Sequence, residues 1–189
     1  MRKWSMEELN RLTVDGYKKA EKVPVVVVLD NIRSMHNVGS VFRTADAFLV
    51  EAIYLCGFTP KPPHRDIHKT ALGATESVNW QYFDNTAQAV HQLKDAGYTI
   101  LAVEQAEGSH YLNSFFLPAG FKAAVVFGNE VEGVQDEVLK LADQCIEIAQ
   151  SGTKHSLNIS VAAGIVLYKL YEQYNEKLPN HVLENNNEI

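Results

Sequence analysis

The chain has 189 residues, of which 46% are hydrophobic, so it can form one domain with a sizeable core. Its net charge of −6 argues against indiscriminate binding of nucleic acid, and any contact with a polyanion must be local. The longest apolar run, residues 23–29, is too short to span a membrane, and the polar residues 1–12 are no signal peptide. We therefore expect a cytoplasmic protein whose two cysteines, Cys56 and Cys145, are buried and reduced.

The predicted elements alternate between helices and strands. A capping box at residues 5–8 starts a helix that extends to about residue 20, and the β-branched run 24–29 predicts a strand buried on both faces. Further strands are predicted at 52–56, 79–83, 98–103, 123–127 and 144–148. Further helices are predicted from an Asn37 cap to about Leu49, at 85–96, at 135–142 and from about 157 to 174. The three prolines within 59–68 predict a loop.

This alternation is typical of an α/β domain with a mostly parallel sheet flanked by helices. We assign residues 1–22 to an N-terminal helical extension, 23–175 to the domain and 176–189 to a flexible tail. In such sheets ligands bind at the carboxyl ends of the strands. The loops that follow Leu29, Val103, Phe127 and Ile148 are therefore the candidate functional loops.

Arg43 lies on the second predicted helix, on the face opposite its apolar side chains. A lone arginine in such a position is ordinarily a solvated surface residue. Here its neighbours on the outer face are Gly39, Ser40 and Ala47, whereas solvated helix faces usually carry long charged side chains. The small residues indicate that a ligand or another backbone comes close. The loop before this helix is polar, and a helix N-terminus suits an anion such as phosphate.

A second loop follows the strand predicted at 123–127. It is bracketed by Gly128 and Gly133 and contains Asn129 and Glu130. Taken alone, the pattern fits an ordinary turn as well as a loop whose backbone approaches a ligand while Asn129 or Glu130 binds it.

A third loop, residues 150–160, is rich in short polar side chains and leads into the last predicted helix, with Ser156 as the obvious candidate for its cap. Ser156, Ser160 and Gly164 recur at every fourth position. Such a stripe of small residues packs closely, either against the protein's own core or against a second subunit.

Together the three blocks resemble the SPOUT methyltransferases, and specifically the SpoU/TrmH family of 2′-O-ribose RNA methyltransferases. The resemblance covers about residues 25–168, with blocks at 37–45, at 127–133 and at 148–164. Three blocks in this order, each at the end of a predicted strand, are highly specific. One departure is Ala149, where the family often has proline after the isoleucine. No GxGxxG or Walker phosphate loop is present, which fits a cofactor without phosphate.

The resemblance implies a trefoil knot over about residues 123–168 and a homodimer whose site is completed across the interface. It implies S-adenosylmethionine as cofactor, held by Val103, Gly128, Asn129, Ile148, Ser156 and Leu157. It implies catalytic roles for Arg43, Asn37, Glu130, Ser156 and Asn158. Because a guanidinium stays protonated, we expect Arg43 to grip a phosphate and fix the ribose rather than act as the base.

The best local basic patch lies in the proline-containing loop, and we predict that it contacts RNA phosphates through Lys61, His64, Arg65 and Lys69. An ordinary solvated loop is the alternative. We expect no metal site, since no further ligands cluster near the two histidines of this loop.

Transfer RNA is favoured over ribosomal RNA as substrate, because the chain is compact and lacks an added RNA-binding domain. A non-catalytic RNA-binding protein on the same fold is the main alternative. A flavodoxin-like regulatory domain is disfavoured, since Asp30 is a lone acid after the first strand.

Overall fold

A parallel sheet of seven strands forms the centre of the structure, a computed structural model that describes residues 1–5 and 7–176. The strands are β1 (Val23–Asp30), β2 (Val50–Cys56), β3 (Asn79–Phe83), β4 (Thr99–Val103), β5 (His110–Tyr111), β6 (Ala123–Phe127) and β7 (Gln144–Glu147). Their order across the sheet is β3-β2-β1-β6-β4-β7-β5, and each neighbouring pair is parallel. The predicted α/β class with a parallel sheet is confirmed, while the knot stays a prediction.

Helices cover both faces of the sheet. They are α1 (Val14–Lys19), α2 (Met35–Ala47), α3 (Arg65–Ala71), α4 (Ala74–Ser77), α5 (Thr86–Asp95), α6 (Asp136–Leu141) and α7 (Ile159–Glu176), with a short 3-10 turn at Leu112–Ser114. Side chains of α2, α3, α4 and α7 share one core cluster with one face of the sheet. Side chains of α5 and α6 share a second cluster with the opposite face. No helix in the described part of the chain is long and apolar enough to cross a membrane.

The central strand β1 shows why its sequence is apolar throughout. Val25, Val27 and Leu29 belong to the first core cluster, whereas Val26 and Val28 belong to the second. Because alternate side chains of a strand point to opposite faces, a strand covered on both faces needs apolar residues at every position. This explains why the continuous β-branched run predicted a doubly buried strand.

The predicted N-terminal helix exists and ends close to the predicted residue 20, but its predicted start at the capping box is wrong. Ser5 and Glu8 do form the two hydrogen bonds of a capping box, at 2.7 and 3.2 Å, but only a turn follows them. Asn10 adopts a positive φ of 42°, which is incompatible with a continuing helix. The helix α1 starts later, where the side chain of Thr13 accepts a hydrogen bond from the backbone of Gly16.

Three further boundaries differ from the prediction. Ser34, and not Asn37, caps α2, because the Ser34 hydroxyl accepts the backbone N–H of Asn37 at 3.2 Å. The segment predicted as a loop contains α3, which His64 caps through its ring nitrogen. The last helix begins at Ile159, and the side chain of Asn158, not Ser156, accepts the backbone N–H of Ser160.

The cysteine prediction is half right, since both thiols are free but Cys145 is only partly buried. The short elements α4 and β5 and the 3-10 turn were not predicted, being at most four residues long. The tail predicted at 176–189 lies, beyond its first residue, outside the described residues.

Candidate functional site

The carboxyl ends of β4, β6 and β7 form a cleft of about 520 Å³. This volume falls in the range of about 300–1,000 Å³ that is usual for small-molecule sites. All six residues predicted to hold the cofactor line the cleft: Val103, Gly128, Asn129, Ile148, Ser156 and Leu157. They come together because parallel strands place the loops that follow them on the same edge of the sheet. Their role with a cofactor stays a prediction.

The loop between Gly128 and Gly133 folds back on itself. The backbones of Asn129 and Gly133 exchange two hydrogen bonds of 2.9 Å. A Cβ atom on Gly128 would collide with the backbone of Gly133 and Val134, and Gly133 itself has a φ of +73°. Both glycines are therefore required by the shape of the wall that this loop presents to the cleft.

Asn129 is buried and ties this loop to the loop after β1. Its side-chain amide donates to the carbonyl of Asn31 at 2.6 Å, and its side-chain oxygen accepts the backbone N–H of Val131 at 2.8 Å. The side chain of Asn129 thus fixes the loop, as its burial requires of a polar group.

The carboxylate of Glu130 lies at the start of α2. It accepts hydrogen bonds from the backbone N–H groups of Arg33 (3.0 Å) and Ser34 (3.3 Å) and from the side chain of Asn37 (2.9 Å). Partial burial opposes ionisation, but the hydrogen bonds from Arg33, Asn37 and Ser34 outweigh it and hold the pKa of Glu130 below its ordinary value. The protein's own carboxylate therefore binds the two backbone N–H groups just before α2, next to the helix N-terminus that was predicted to suit a phosphate.

Three of the five predicted catalytic residues form one chain of hydrogen bonds. Asn37 donates to Glu130 and accepts from the side-chain amide of Asn158 at 3.2 Å. Asn158 in turn accepts from the backbone and hydroxyl of Ser160 at 2.9 and 2.6 Å. This chain joins the 128–133 loop, the first turn of α2 and the start of α7. Ser156 lies nearby on the cleft wall.

Arg43 is not part of this assembly. It is exposed on α2, outside the cleft, and its guanidinium forms no ion pair within residues 1–5 and 7–176. Arg43 is six positions after Asn37, which corresponds to about 9 Å along the helix axis. Its neighbour Gly39 is buried, and a Cβ there would collide with the carbonyl of Ile67 on α3. The close approach indicated by Gly39 is therefore that of a second backbone.

The four predicted RNA-contact residues lie on α3 or in the segment just before it, and are called the α3 patch below. Lys61, Arg65 and Lys69 are exposed, whereas His64 is half-buried and serves as the helix cap. Lys69 pairs with Asp66 at 2.9 Å, and this hydrogen-bonded ion pair lowers the pKa of Asp66. The positive charge of the patch is thus partly neutralised, which leaves Lys61 and Arg65 as its free cations within the described residues.

Glu104 and Gln105 were missed by the sequence prediction although both line the cleft. Glu104 accepts the backbone N–H groups of Val134 (3.1 Å) and Gln105 (2.8 Å), and Gln105 donates to the carbonyl of His155 at 2.7 Å. They therefore join the three loops around the cleft. Both residues directly follow Val103 at the end of a predicted strand, and this position was the signal in the sequence that could have identified them.

Asp30 also plays a larger part than predicted. Its fully buried carboxylate accepts the Thr86 hydroxyl (2.6 Å), the Gln135 backbone N–H (2.9 Å) and the Asn31 amide (3.0 Å). It thereby fixes the starts of α5 and α6 against the end of β1. In the part of the chain that the structure describes, no group of three His, Cys, Asp or Glu side chains is placed to hold a metal ion.

Residues 24–168 match the model of the SpoU rRNA methylase family. A putative TrmH family tRNA/rRNA methyltransferase of Staphylococcus saprophyticus is 30% identical over 158 residues, which are 84% of this chain and 62% of the relative. A relative of the same description from Staphylococcus aureus (strain MSSA476) is 31% identical over 82% of this chain and 62% of its own length. The chain thus spans less than two thirds of these relatives.

Three solved structures share the fold. The TrmH/SpoU tRNA modifying enzyme of A. aeolicus superposes with a TM-score of 0.75 at 30% identity, covering 85% of this chain and 80% of that one. The AdoMet-bound rRNA methyltransferase of Sinorhizobium meliloti gives 0.75 at 26% identity, with coverages of 88% and 60%. A protein described for 2-OH methylation of C/U34 on tRNA gives 0.71 at 25% identity, with coverages of 81% and 97%. As the three sequence blocks predicted, the chain belongs to the SpoU rRNA methylase family.

Proposed function

We propose that the chain transfers a methyl group from S-adenosylmethionine to a ribose 2′-hydroxyl of RNA. The observation that carries the proposal is the hydrogen-bonded chain of Glu130, Asn37 and Asn158. It joins the cleft at the ends of β4, β6 and β7 to α2, the helix that carries Arg43. Family membership and the AdoMet-bound relative from Sinorhizobium meliloti support the choice of cofactor.

The cleft suits a cationic ligand without phosphate. Four carboxylates line it, those of Glu104, Glu130, Glu132 and Glu147. S-adenosylmethionine carries positive charge on its sulfonium and amino groups, and when bound it supplies an electrophilic methyl group. Carboxylates around the cleft favour such a ligand and disfavour a polyphosphate. Val103, Ile148 and Leu157 would provide apolar contacts for its adenine ring.

Arg43 is proposed to hold the RNA rather than the cofactor. A guanidinium can bind a phosphate through two hydrogen bonds and so fix the neighbouring ribose. It is a poor general base, because it stays protonated throughout the neutral range. Glu130 is equally unsuited to that role here, since its oxygens already accept three hydrogen bonds and its pKa is lowered. Glu130, Asn37 and Asn158 are therefore positioning residues for α2.

We propose that the chain acts as a homodimer in which Arg43 serves the cleft of the partner. Arg43 lies outside the cleft of its own chain. The helix α7 exposes an apolar stripe, defined by Val161, Ile165 and Tyr168, whose members are three or four residues apart. The rings of Phe48, at the end of α2, and Tyr168 pack edge to face with their centroids 5.8 Å apart, so the stripe adjoins the helix that bears Arg43.

Transfer RNA is the proposed substrate class. It is the substrate named for the A. aeolicus neighbour, and the neighbour described for tRNA C/U34 methylation is matched over 97% of its length.

The experiment is methyl transfer from methyl-tritiated S-adenosylmethionine to unmodified tRNA and to unmodified rRNA. We expect label in tRNA, in dinucleotides that resist alkaline hydrolysis because their 2′-oxygen is methylated. Label in alkali-sensitive nucleotides would contradict ribose specificity, and label in rRNA alone would contradict the substrate class. Failure of S-adenosylmethionine to bind in calorimetry would favour a non-catalytic RNA-binding protein on this fold.

A further inference from the structure

A pair of exposed aromatic side chains lies beside the start of α2, each with a cation next to its ring. Phe58, in the turn after β2, is 59% exposed, and Tyr82 on β3 is 36% exposed. The Arg33 guanidinium lies 5.9 Å from the Phe58 ring centroid, and the Lys61 ammonium lies 3.7 Å from the Tyr82 ring centroid. These four residues are called the aromatic platform below.

The backbone under Phe58 is fixed although its ring is exposed. The Phe58 N–H donates to the Asn31 side chain at 3.1 Å, and the Tyr82 hydroxyl donates to the Gly57 carbonyl at 2.8 Å. The Thr59 hydroxyl donates to the Leu29 carbonyl at 3.0 Å. A ring presented from such a turn loses little conformational freedom when a flat ligand stacks on it.

The platform is joined directly to the proposed site. The backbone N–H of Arg33 donates to Glu130, whose carboxylate also binds Asn37. Asn31 provides a second link. Its side chain accepts the backbone N–H of Phe58, and its carbonyl accepts a hydrogen bond from the side-chain amide of Asn129 in the cleft wall. A nucleotide held on the platform would therefore have a fixed position relative to the cleft.

We propose that the aromatic platform stacks an unpaired RNA base next to the reacting ribose, an inference that rests on the proposed function. Bases stack on aromatic rings and on guanidinium planes, and duplex RNA does not offer its base faces in this way. Arg33 and Lys61 form no ion pair within residues 1–5 and 7–176, so their charges are free for the phosphates on either side of that base. The substrate class is a nucleotide in a loop or single strand.

The test uses a fluorescein-labelled single-stranded 12-nucleotide RNA of mixed sequence and the duplex of the same sequence, with binding followed by anisotropy. We expect Phe58→Ala to weaken single-strand binding about tenfold, Phe58→Trp to retain it, and duplex binding to change less than twofold. A second single strand carries 2-aminopurine at its centre. Wild-type protein should quench its fluorescence by stacking, and Phe58→Ala should not.

Phe116→Ala is the matched control. Phe116 is 67% exposed and also has a cation near its ring, Lys169 at 5.7 Å. Lys169 is ten positions after Ile159, the first residue of α7, which lines the cleft. This spacing corresponds to about 15 Å along the helix axis, so the Phe116 ring lies away from the cleft. Because both rings are exposed, both variants should melt within about 2 °C of wild type.

The proposal is overturned if Phe58→Ala binds the single strand as tightly as wild type does, if it loses duplex and single strand equally, or if Phe116→Ala loses as much. In each of these cases methyl transfer by the wild-type protein would leave the proposed function intact. If wild-type protein methylates no RNA, the proposed function fails, whatever the binding data show.

Discussion

The cleft and the outer surface of α2 differ in how many of their side chains find partners within the same chain. Around the cleft, the loops after β4, β6 and β7 hold one another through Glu104, Gln105 and paired backbone hydrogen bonds. On the outer surface, Arg43 has no ion pair in the described part of the chain, and α7 exposes an apolar stripe that contacts the end of α2 at Phe48. One chain therefore lines the proposed cofactor cleft with its own loops, whereas we expect the proposed substrate side to be completed by RNA and by a second copy of the chain.

The largest effect is expected for Arg43→Ala. Loss of a positioned charge at the reacting group should lower turnover by roughly two to three orders of magnitude, while affinity for S-adenosylmethionine stays within about twofold of wild type. Turnover is measured with saturating tRNA, and affinity by calorimetry. Arg11→Ala, a change of another exposed arginine, is the control and should leave both quantities unchanged.

Mixed dimers test whether Arg43 acts on its own cleft or on that of its partner. A dimer of one Arg43→Ala chain and one Gly128→Ala chain contains one intact cleft and one intact arginine, on different chains. If Arg43 acts across the interface, the mixed dimer should regain up to half of the wild-type activity. No activity above that of the two parent variants would place Arg43 in its own chain's site.

Gly128→Ala should damage the cleft. The new Cβ would overlap the backbone of Gly133 and Val134, which cannot move without opening the loop. We expect affinity for S-adenosylmethionine to fall by roughly tenfold to a hundredfold, measured by calorimetry. Gly152→Ala is the matched control, because a Cβ added to Gly152 would meet nothing within 4 Å. Equal losses in both variants would contradict this account.

Glu130→Gln should cost about 1 kcal/mol of unfolding free energy at pH 7, after allowance for solvent exposure. The folded-state pKa of Glu130 is lowered, so its stabilisation is present above the ordinary carboxyl pKa and is lost as pH falls through the lowered value. The difference from wild type in urea unfolding should therefore shrink as the pH is lowered from 7 through and below the ordinary carboxyl range. Glu132→Gln is the control, because the side chain of Glu132 makes no hydrogen bond to other described residues. It should change neither the unfolding free energy at pH 7 nor its dependence on pH.

The smallest effect is expected in the α3 patch. Arg65→Ala should weaken tRNA binding a few-fold and reduce the slope of log affinity against log salt by about 1. Lys69→Ala should do less, because Lys69 already pairs with Asp66. Both are measured by anisotropy over a salt series, with Lys140→Ala, on the opposite face of the sheet, as control. An unchanged salt slope in Arg65→Ala would remove the patch from the RNA interface.

The strands were the most predictable part of the molecule. β3 and β6 have the predicted bounds, because runs of β-branched and aromatic residues between turn residues leave few alternatives. The cap of α2 was not predictable in the same way, since Ser34 and Asn37 can both cap a helix. What decides between them is the binding of Asn37 to Glu130 and Asn158, which are 93 and 121 residues away in sequence.

The surroundings of the candidate site show a similar limit. Gly39 indicated a close approach, but only the fold shows that α3 is what approaches. The helix after the prolines was missed because its cap is a histidine, whose ring nitrogen is an unusual acceptor for that role. The aromatic platform was missed because Phe58 and Tyr82 are 24 positions apart and belong to neighbouring strands and their turns.

The position of the Glu130 carboxylate has a practical consequence for inhibitors. The carboxylate accepts the backbone N–H groups of Arg33 and Ser34 just before α2, as a bound phosphate could. A free anion would have to displace Glu130 to bind there. Inorganic phosphate and pyrophosphate should therefore be poor inhibitors, even at millimolar concentration. A polyanion such as heparin, if it inhibits, should do so through Arg43 and the α3 patch, and its effect would then mark the path along which RNA enters.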